Sequence, residues 1–419
     1  MEQTPKANRV HIGFFGRCNA GKSTLINMLT DQSVSLVSDV AGTTTDPVSK
    51  SMEILPLGPV VITDTAGIDD TTELGALRME KTEEVVKKIN LAVYVLRTDE
   101  EPTSDDMHWL GVLKQNNVPI ALFINEINTD NTDNTDNRDK VESNTSDYIK
   151  SHKGLGDLAT VIGSADFTSN VKRLELLDLL GGLTPLDVEG EQTLLQGLVE
   201  EGDAIILVCP IDSAAPKGRL ILPQVQTIRE ILDYKGLALV CQTEELPSMI
   251  NSLTHPPKMV ICDSQAFDRV DELTPDTIPL TSFSILMARF KGKLQDLVAG
   301  VNAIKNLKPG SKVLISEGCT HRRQCDDIGT VKIPNLLKKQ GHTDLQLEFT
   351  SGGAFPKDVS QYDLIIHCGA CMLTRREVLR RIECAVVQGT PIVNYGVLIA
   401  ALHGILERAI SPFLEELKE

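Results

Sequence analysis

The chain has 419 residues with 41 basic and 58 acidic side chains, a formal charge of −17, and a single tryptophan, Trp109; this balance argues against binding nucleic acid or anionic membrane and offers little for base stacking. No apolar run reaches the roughly 18 residues of a membrane span, and Met1-Glu2-Gln3-Thr4-Pro5 has no secretory or transit character, so neither span nor export is predicted. Nine cysteines in such a chain point to a reducing, cytoplasmic setting, where clustered thiols bind metal more often than they pair.

The apolar runs and turn residues predict an α/β chain: an N-terminal P-loop domain over residues 1–182, then two smaller α/β (Rossmann-like) units over 183–267 and 268–419. Residues 10–15 read as a strand, followed by Gly16-Arg17-Cys18-Asn19-Ala20-Gly21-Lys22-Ser23. This is G-x-x-x-x-G-K-S opening a helix over 23–29. Amides of Gly16, Asn19, Ala20, Gly21 and Thr24 would cradle phosphates, Lys22 would reach the β/γ-phosphates, and Ser23 would bind Mg²⁺.

Further blocks follow in the order a GTPase needs. Ala41-Gly42-Thr43-Thr44-Thr45-Asp46 supplies a switch threonine, Thr44 with Thr43 as the alternative. A strand over 60–63 ends in Asp64-Thr65-Ala66-Gly67, with Asp64 on Mg²⁺ through water and the Gly67 amide at the γ-phosphate. A strand over 119–124 delivers Asn125-Glu126-Ile127-Asn128 where Asn-Lys-x-Asp would read guanine. A strand over 159–162 ends near Ser164 and Ala165, which would back the base, and a helix over 171–180 closes the domain. Asn128 offers one acceptor and one donor where guanine presents two donors, so guanine preference is weakened or a neighbour such as Asp130 substitutes. The Thr/Asp/Asn repeat over 129–137 reads as a solvated loop.

Gly181-Gly182-Leu183-Thr184-Pro185 reads as a boundary. Beyond it come strands over 204–209, 237–241 and 259–262, with helices over 219–234 and 244–253 between them. Cys209, Cys241 and Cys262, near the strand ends, read as core residues of buried strands. The last unit begins with a long helix over 284–307, then strands over 312–316, 345–349, 363–366 and 391–393, and helices over 327–340, 374–388 and 398–408. Cys319-Thr320-His321 follows the first of these strands. His367-Cys368-Gly369-Ala370-Cys371 follows another, 45 residues further on (322–366). Both half-motifs leave their strands at the carboxyl edge, where open α/β sheets build ligand sites. Three thiols and two imidazoles there make a metal or iron–sulfur site, since thiolates select zinc and iron–sulfur clusters.

The loop with Asn19 and the Gly42-Thr43-Thr44 run resemble the TrmE/Era-like GTPases. Joined to the C-terminal Cys-x-His and His-Cys-x-x-Cys pattern, the chain resembles the HydF family, which matures iron-only (FeFe) hydrogenase. The resemblance implies a GTP/GDP-binding enzyme with Mg²⁺. Because Ile68 replaces the water-orienting glutamine, it also implies slow hydrolysis stimulated by K⁺ on Asn19. It further implies a dimerisation domain over 183–267, a homodimer, and a [4Fe–4S] cluster on Cys319, Cys368 and Cys371. The fourth iron corner would be left to His321, His367, water or an incoming ligand, and a role for the histidines in orienting the thiolates stands equally. Radical-SAM maturases and apo FeFe-hydrogenase are the implied partners. Two alternatives remain open at this point: a GTPase with a structural Cys₃His zinc site, and an RNA-modification GTPase.

Overall fold

The computed structural model describes residues 9–30, 48–54, 57–65, 73–126, 148–149, 151–152, 154–167, 172–183, 193–211, 220–318 and 327–418. Thr43, Thr44, Gly67, Ile68, Asn128, Asp130, Cys319, His321 and the 129–137 repeat lie outside them. The chain divides into two compact units, Met1–Gly190 and Glu191–Glu419.

In the first unit, β1 (Val10–Phe15), α1 (Lys22–Thr30), β2 (Val48–Ile54), β3 (Gly58–Asp64), α2 (Glu73–Lys88), β4 (Leu91–Arg97), α3 (Ser104–Gln115), β5 (Ile120–Asn125), β6 (Val161–Ala165) and α4 (Arg173–Leu183) alternate. The sheet order is β2-β3-β1-β4-β5-β6, parallel except that β2 runs antiparallel to β3. Helices on both faces explain why β4 and β5 are near-continuous apolar runs, Leu-Ala-Val-Tyr-Val-Leu and Ile-Ala-Leu-Phe-Ile, buried throughout. The chain reverses direction across the sheet between β1 and β4. Their carboxyl ends open a crevice there, and the loop after β1 fills it. The helix expected over 171–180 runs on through Gly181 and Gly182 to Leu183, its Leu176, Leu177, Leu180 and Leu183 buried at helical spacing. Continuous burial of that apolar stripe outweighs the weak helix preference of two glycines.

The second unit holds two four-stranded parallel sheets. One has the order β10-β9-β7-β8, from β7 (Ala204–Val208), α5 (Leu222–Asp233), β8 (Leu237–Cys241), β9 (Met259–Cys262) and β10 (Leu280–Ser282). The other has the order β12-β11-β13-β14, from β11 (Lys312–Glu317), β12 (Gln346–Ser351), β13 (Leu364–His367) and β14 (Ile392–Asn394). One hydrophobic core runs through both, from Leu194 to Phe413. Helix α6 (Phe283–Lys291) contributes Ile285, Leu286, Met287 and Ala288 to it, and α7 (Arg375–Val387) and α8 (Tyr395–Leu402) follow β13 and β14.

Three expectations change here. The helix expected over 284–307 is broken: α6 stops at Gly292, whose added Cβ would sit 2.8 Å from the Ala288 carbonyl, and shorter helical turns follow. The last helix is likewise split, α8 ending before Gly404, which has φ +77°. And β8 is no buried strand. With β7 as its one neighbour it forms the sheet edge, leaving Leu237 and Val240 exposed and Cys241 half-buried.

Candidate phosphate and thiol sites

The first site is the loop between β1 and α1. Gly16 and Gly21 have φ +134° and +102°, and Asn19 takes the left-handed conformation at φ +60°. A Cβ on Gly16 would lie 2.5 Å from the Val95 carbonyl, and one on Gly21 would lie 2.5 Å from Asn125 Nδ2. Both glycines are there because neighbouring chain passes too close for a side chain. Lys22 is buried, and its Nζ donates to the carbonyls of Gly16 and Arg17, each at 2.8 Å. Its ammonium thus lies under the curl of the loop, while Ser23 and Thr24 are exposed at the helix start.

Asp64 ends β3 opposite this loop (Phe14 and Asp64 are partners in register). Burial raises its carboxyl above the usual carboxylate range, with Lys22 opposing, and its Oδ1 is buried with no hydrogen-bond partner among the described residues. An orphaned carboxylate oxygen beside a lysine and a helix-start serine is a donor set suited to Mg²⁺ and its water. Ser23 and Asp64 would hold that ion, whose chemistry is to neutralise charge on the phosphates.

Asn125 ends β5 and is buried. Its Nδ2 donates to the Ala20 carbonyl at 3.2 Å, and its Oδ1 accepts from the Phe167 amide at 3.5 Å. Thus the asparagine expected at the base also ties the phosphate loop to the segment after β6. Ser164 and Ala165 lie at the end of β6, Ala165 in register with Asn125. Glu126, standing where a lysine would reach along the base, faces Lys172 at 3.8 Å instead. One network was not anticipated: Arg17 Nε meets Asp106 Oδ2 at 3.2 Å, and Asp106, fully buried at the start of α3, accepts from Tyr94 Oη at 2.9 Å and caps the helix with Thr103.

The second site lies at the carboxyl end of β13. His367 is the last residue of that strand, with Ser316 and Asn394 as its register partners. Its Nε2 lies 3.2 Å from the Arg381 guanidinium and its Nδ1 lies 2.9 Å from the Cys368 carbonyl. Arginine can only donate, so Nε2 accepts and Nδ1 carries the proton. Burial, aided by Arg381, holds the imidazolium off, down to a pKa of about 4. Both ring nitrogens are occupied, so the ring stands as an orienting group on the Cys368 carbonyl. Asn394 Nδ2 donates to the same carbonyl at 3.4 Å.

Cys368 Sγ accepts from the amides of Gly318 (3.0 Å) and Ala370 (3.3 Å). Gly318 is the residue before Cys319 and the last described residue after β11. Burial pushes the Cys368 thiol up to about 11 against those two amides, and raises the Cys371 thiol as well, against Lys291 and the amides of Cys371 and Met372. Thiols this buried, yet already receiving N–H groups, form a donor set suited to a metal or cluster that removes their protons. Ala370 adopts φ +53°, a left-handed strain of about 1 kcal/mol for a residue with a Cβ, which is the conformation that turns the Cys-x-x-Cys loop back on itself. Thr374 caps α7 behind the loop, accepting from the Glu377 amide at 3.3 Å, as expected. Among the described residues no group of three or more His, Cys, Asp or Glu side chains gathers as a metal site, here or elsewhere; Cys368 and Cys371 are the two expected thiols that the description includes. Cys209 and Cys262 are buried, with burial pushing Cys209 up to about 12.

The phosphate-loop architecture defines the N-terminal unit as a P-loop GTPase domain, followed by further α/β sheets. Residues 11–126 match the model of the 50S ribosome-binding GTPases. Residues 194–292 match the hydrogen maturase F dimerization domain, and 295–412 match the hydrogen maturase F tetramerization domain. The chain belongs to the hydrogen maturase F family.

Among curated proteins, tRNA modification GTPase MnmE of Endomicrobium trichonymphae is 34% identical over 121 residues, 28% of this chain and 26% of that protein. GTPase Der of Wolinella succinogenes is 38% identical over 99 residues, 23% of this chain and 20% of that protein. The chain thus spans about a quarter of the length of the curated relatives it matches. Among solved structures, an Era variant of Aquifex aeolicus bound to GDP.AlF4- aligns over 55% of this chain and 91% of its own, with 19% identity and a TM-score of 0.35.

Proposed function

We propose that this protein is a GTP-hydrolysing scaffold that carries a [4Fe–4S] cluster on Cys319, Cys368 and Cys371. It would hold a diiron precursor there and deliver it to apo FeFe-hydrogenase, with radical-SAM maturases as its other partners. The observation that carries this reading is the Cys368 sulfur, which receives the amide of the residue preceding Cys319 within a region matching hydrogen maturase F. That contact joins Cys368 to a residue 50 positions earlier in the chain, which supports a site that draws on both half-motifs. Three thiolates leave one iron corner for exchange. With both nitrogens of His367 engaged, that corner falls to His321, water or the cargo.

In the GTPase domain, Lys22 would exchange its loop carbonyls for phosphate oxygens, Ser23, Thr44 and Asp64 would hold Mg²⁺, and the Gly67 amide would meet the γ-phosphate. Asn19 would bind K⁺, and Asn125, Asn128, Ser164 and Ala165 would surround the base. Hydrolysis is slow and potassium-stimulated, suited to a switch. The exposed edge strand β8, with Leu237 and Val240 on it, would pair with a second copy to form the homodimer. No helix among the described residues is long and apolar enough to cross a membrane, which suits a cytoplasmic carrier. Iron and sulfide analysis of anaerobically purified full-length protein tests the reading: comparable iron and acid-labile sulfide support it, and one zinc without sulfide overturns it.

A further inference from the structure

Lys291, the last residue of α6, is 2% exposed, and among the described residues no carboxylate pairs with its ammonium. Its Nζ donates to three carbonyls of one loop instead: Ala370 at 3.3 Å, Cys371 at 3.1 Å and Leu373 at 2.6 Å. In a trans peptide the N–H points opposite to the C=O. Pulling the carbonyls of residues 370 and 371 toward Lys291 therefore turns the amides of Cys371 and Met372 the other way, and both face the Cys371 sulfur. On the other side of the loop, His367 Nδ1 and Asn394 Nδ2 hold the Cys368 carbonyl, while the Ala370 amide faces the Cys368 sulfur. The positive φ of Ala370 allows these neighbouring peptides to adopt such directions.

We propose that Lys291 is a positioning residue that fixes the peptide directions of the 368–373 loop, so that its amides converge on the Cys368 and Cys371 thiolates. It does not ligate; it clamps the carbonyls behind the loop, and the sulfurs receive the N–H groups in front. Hydrogen bonds to cluster sulfurs favour the more negative, reduced state, so this clamp raises the cluster's reduction potential. The inference rests on the cluster reading above.

The test uses full-length protein reconstituted anaerobically with ferrous iron and sulfide, as wild type, Lys291→Met and Lys291→Arg, with redox titration followed by EPR. Arginine keeps the charge but cannot place one nitrogen among three carbonyls. Both variants are expected to hold the reduced state about tenfold less well, a midpoint about 59 mV more negative for one electron. A variant folded by circular dichroism, with wild-type GTP turnover, that loads no iron also supports the proposal. Unchanged midpoints in both variants overturn it. So does a shift in Lys291→Met alone, since charge rather than peptide direction is then the agent. Should neither variant fold, deuterium ENDOR of the reduced wild-type cluster decides: exchangeable N–H protons coupled to the cluster support the proposal and their absence overturns it. Wild-type protein that takes up no iron and sulfide sinks the cluster reading instead.

Discussion

Gly21→Ala asks how the phosphate loop is held in shape. At φ +102° an alanine is strained by about 1–2 kcal/mol. Its Cβ would also lie 2.5 Å from Asn125 Nδ2 and 3.3 Å from the Phe167 ring. The amide must then withdraw from the Ala20 carbonyl, a further loss of about 1 kcal/mol. Together these remove about 2–3 kcal/mol of loop preorganisation, so affinity for GDP should fall roughly 30- to 150-fold. Asn125→Ala alone leaves the Ala20 carbonyl and the Phe167 amide without that partner, worth about 1–3 kcal/mol. In the double variant the new Cβ meets no amide, so the two effects should fall short of additivity by about 1 kcal/mol. Titration of the full-length protein with a fluorescent GDP analogue measures all four affinities, with circular dichroism as the folding control. Affinity of Gly21→Ala within threefold of wild type, or strict additivity in the cycle, would refute the packing argument.

Other perturbations separate the two sites. Lys22→Ala should abolish GTP turnover in a phosphate-release assay while leaving the visible spectrum of the cluster unchanged; a bleached protein would show that the sites are not independent. Cys368→Ala should lose the cluster absorption near ~400 nm with hydrolysis intact, and a retained spectrum would exclude Cys368 as a ligand. Arg381→Met should destabilise the C-terminal unit by about 3–5 kcal/mol. Arg381 is fully buried and donates to Glu377, the Gly352 carbonyl and His367. A denaturant midpoint unmoved for that unit would contradict the role given to this network.

What could be read from the residues alone follows from how locally each feature is encoded. The phosphate loop announces itself because its glycines, lysine and serine are adjacent, and the thiol half-motifs stand out because each follows an apolar strand. Thr374 was legible as a cap for the same reason. Lys291 was not: its partners are backbone carbonyls about 80 residues away, and a carbonyl acceptor leaves no residue-type signature. Arg381 gave a faint sign, a charge on the face that also carries Val378, Ile382 and Ala385, which only burial turns into a constraint on His367. Gly181 and Gly182 hide the end of α4, because glycines suggest a helix stop while the leucine stripe continues through them to Leu183. The exposure of β8 was hidden because an edge strand with apolar residues on both faces has the same composition as a buried one.

Iron and acid-labile sulfide, measured on anaerobically purified full-length protein beside its Cys319→Ala, Cys368→Ala and Cys371→Ala variants, bear most directly on the carrier role. The three-thiolate site requires about four irons and four sulfides per chain in the wild type, lost in every variant. Sulfide-free protein holding one zinc, or a cluster that survives removal of any of these three cysteines, would contradict it.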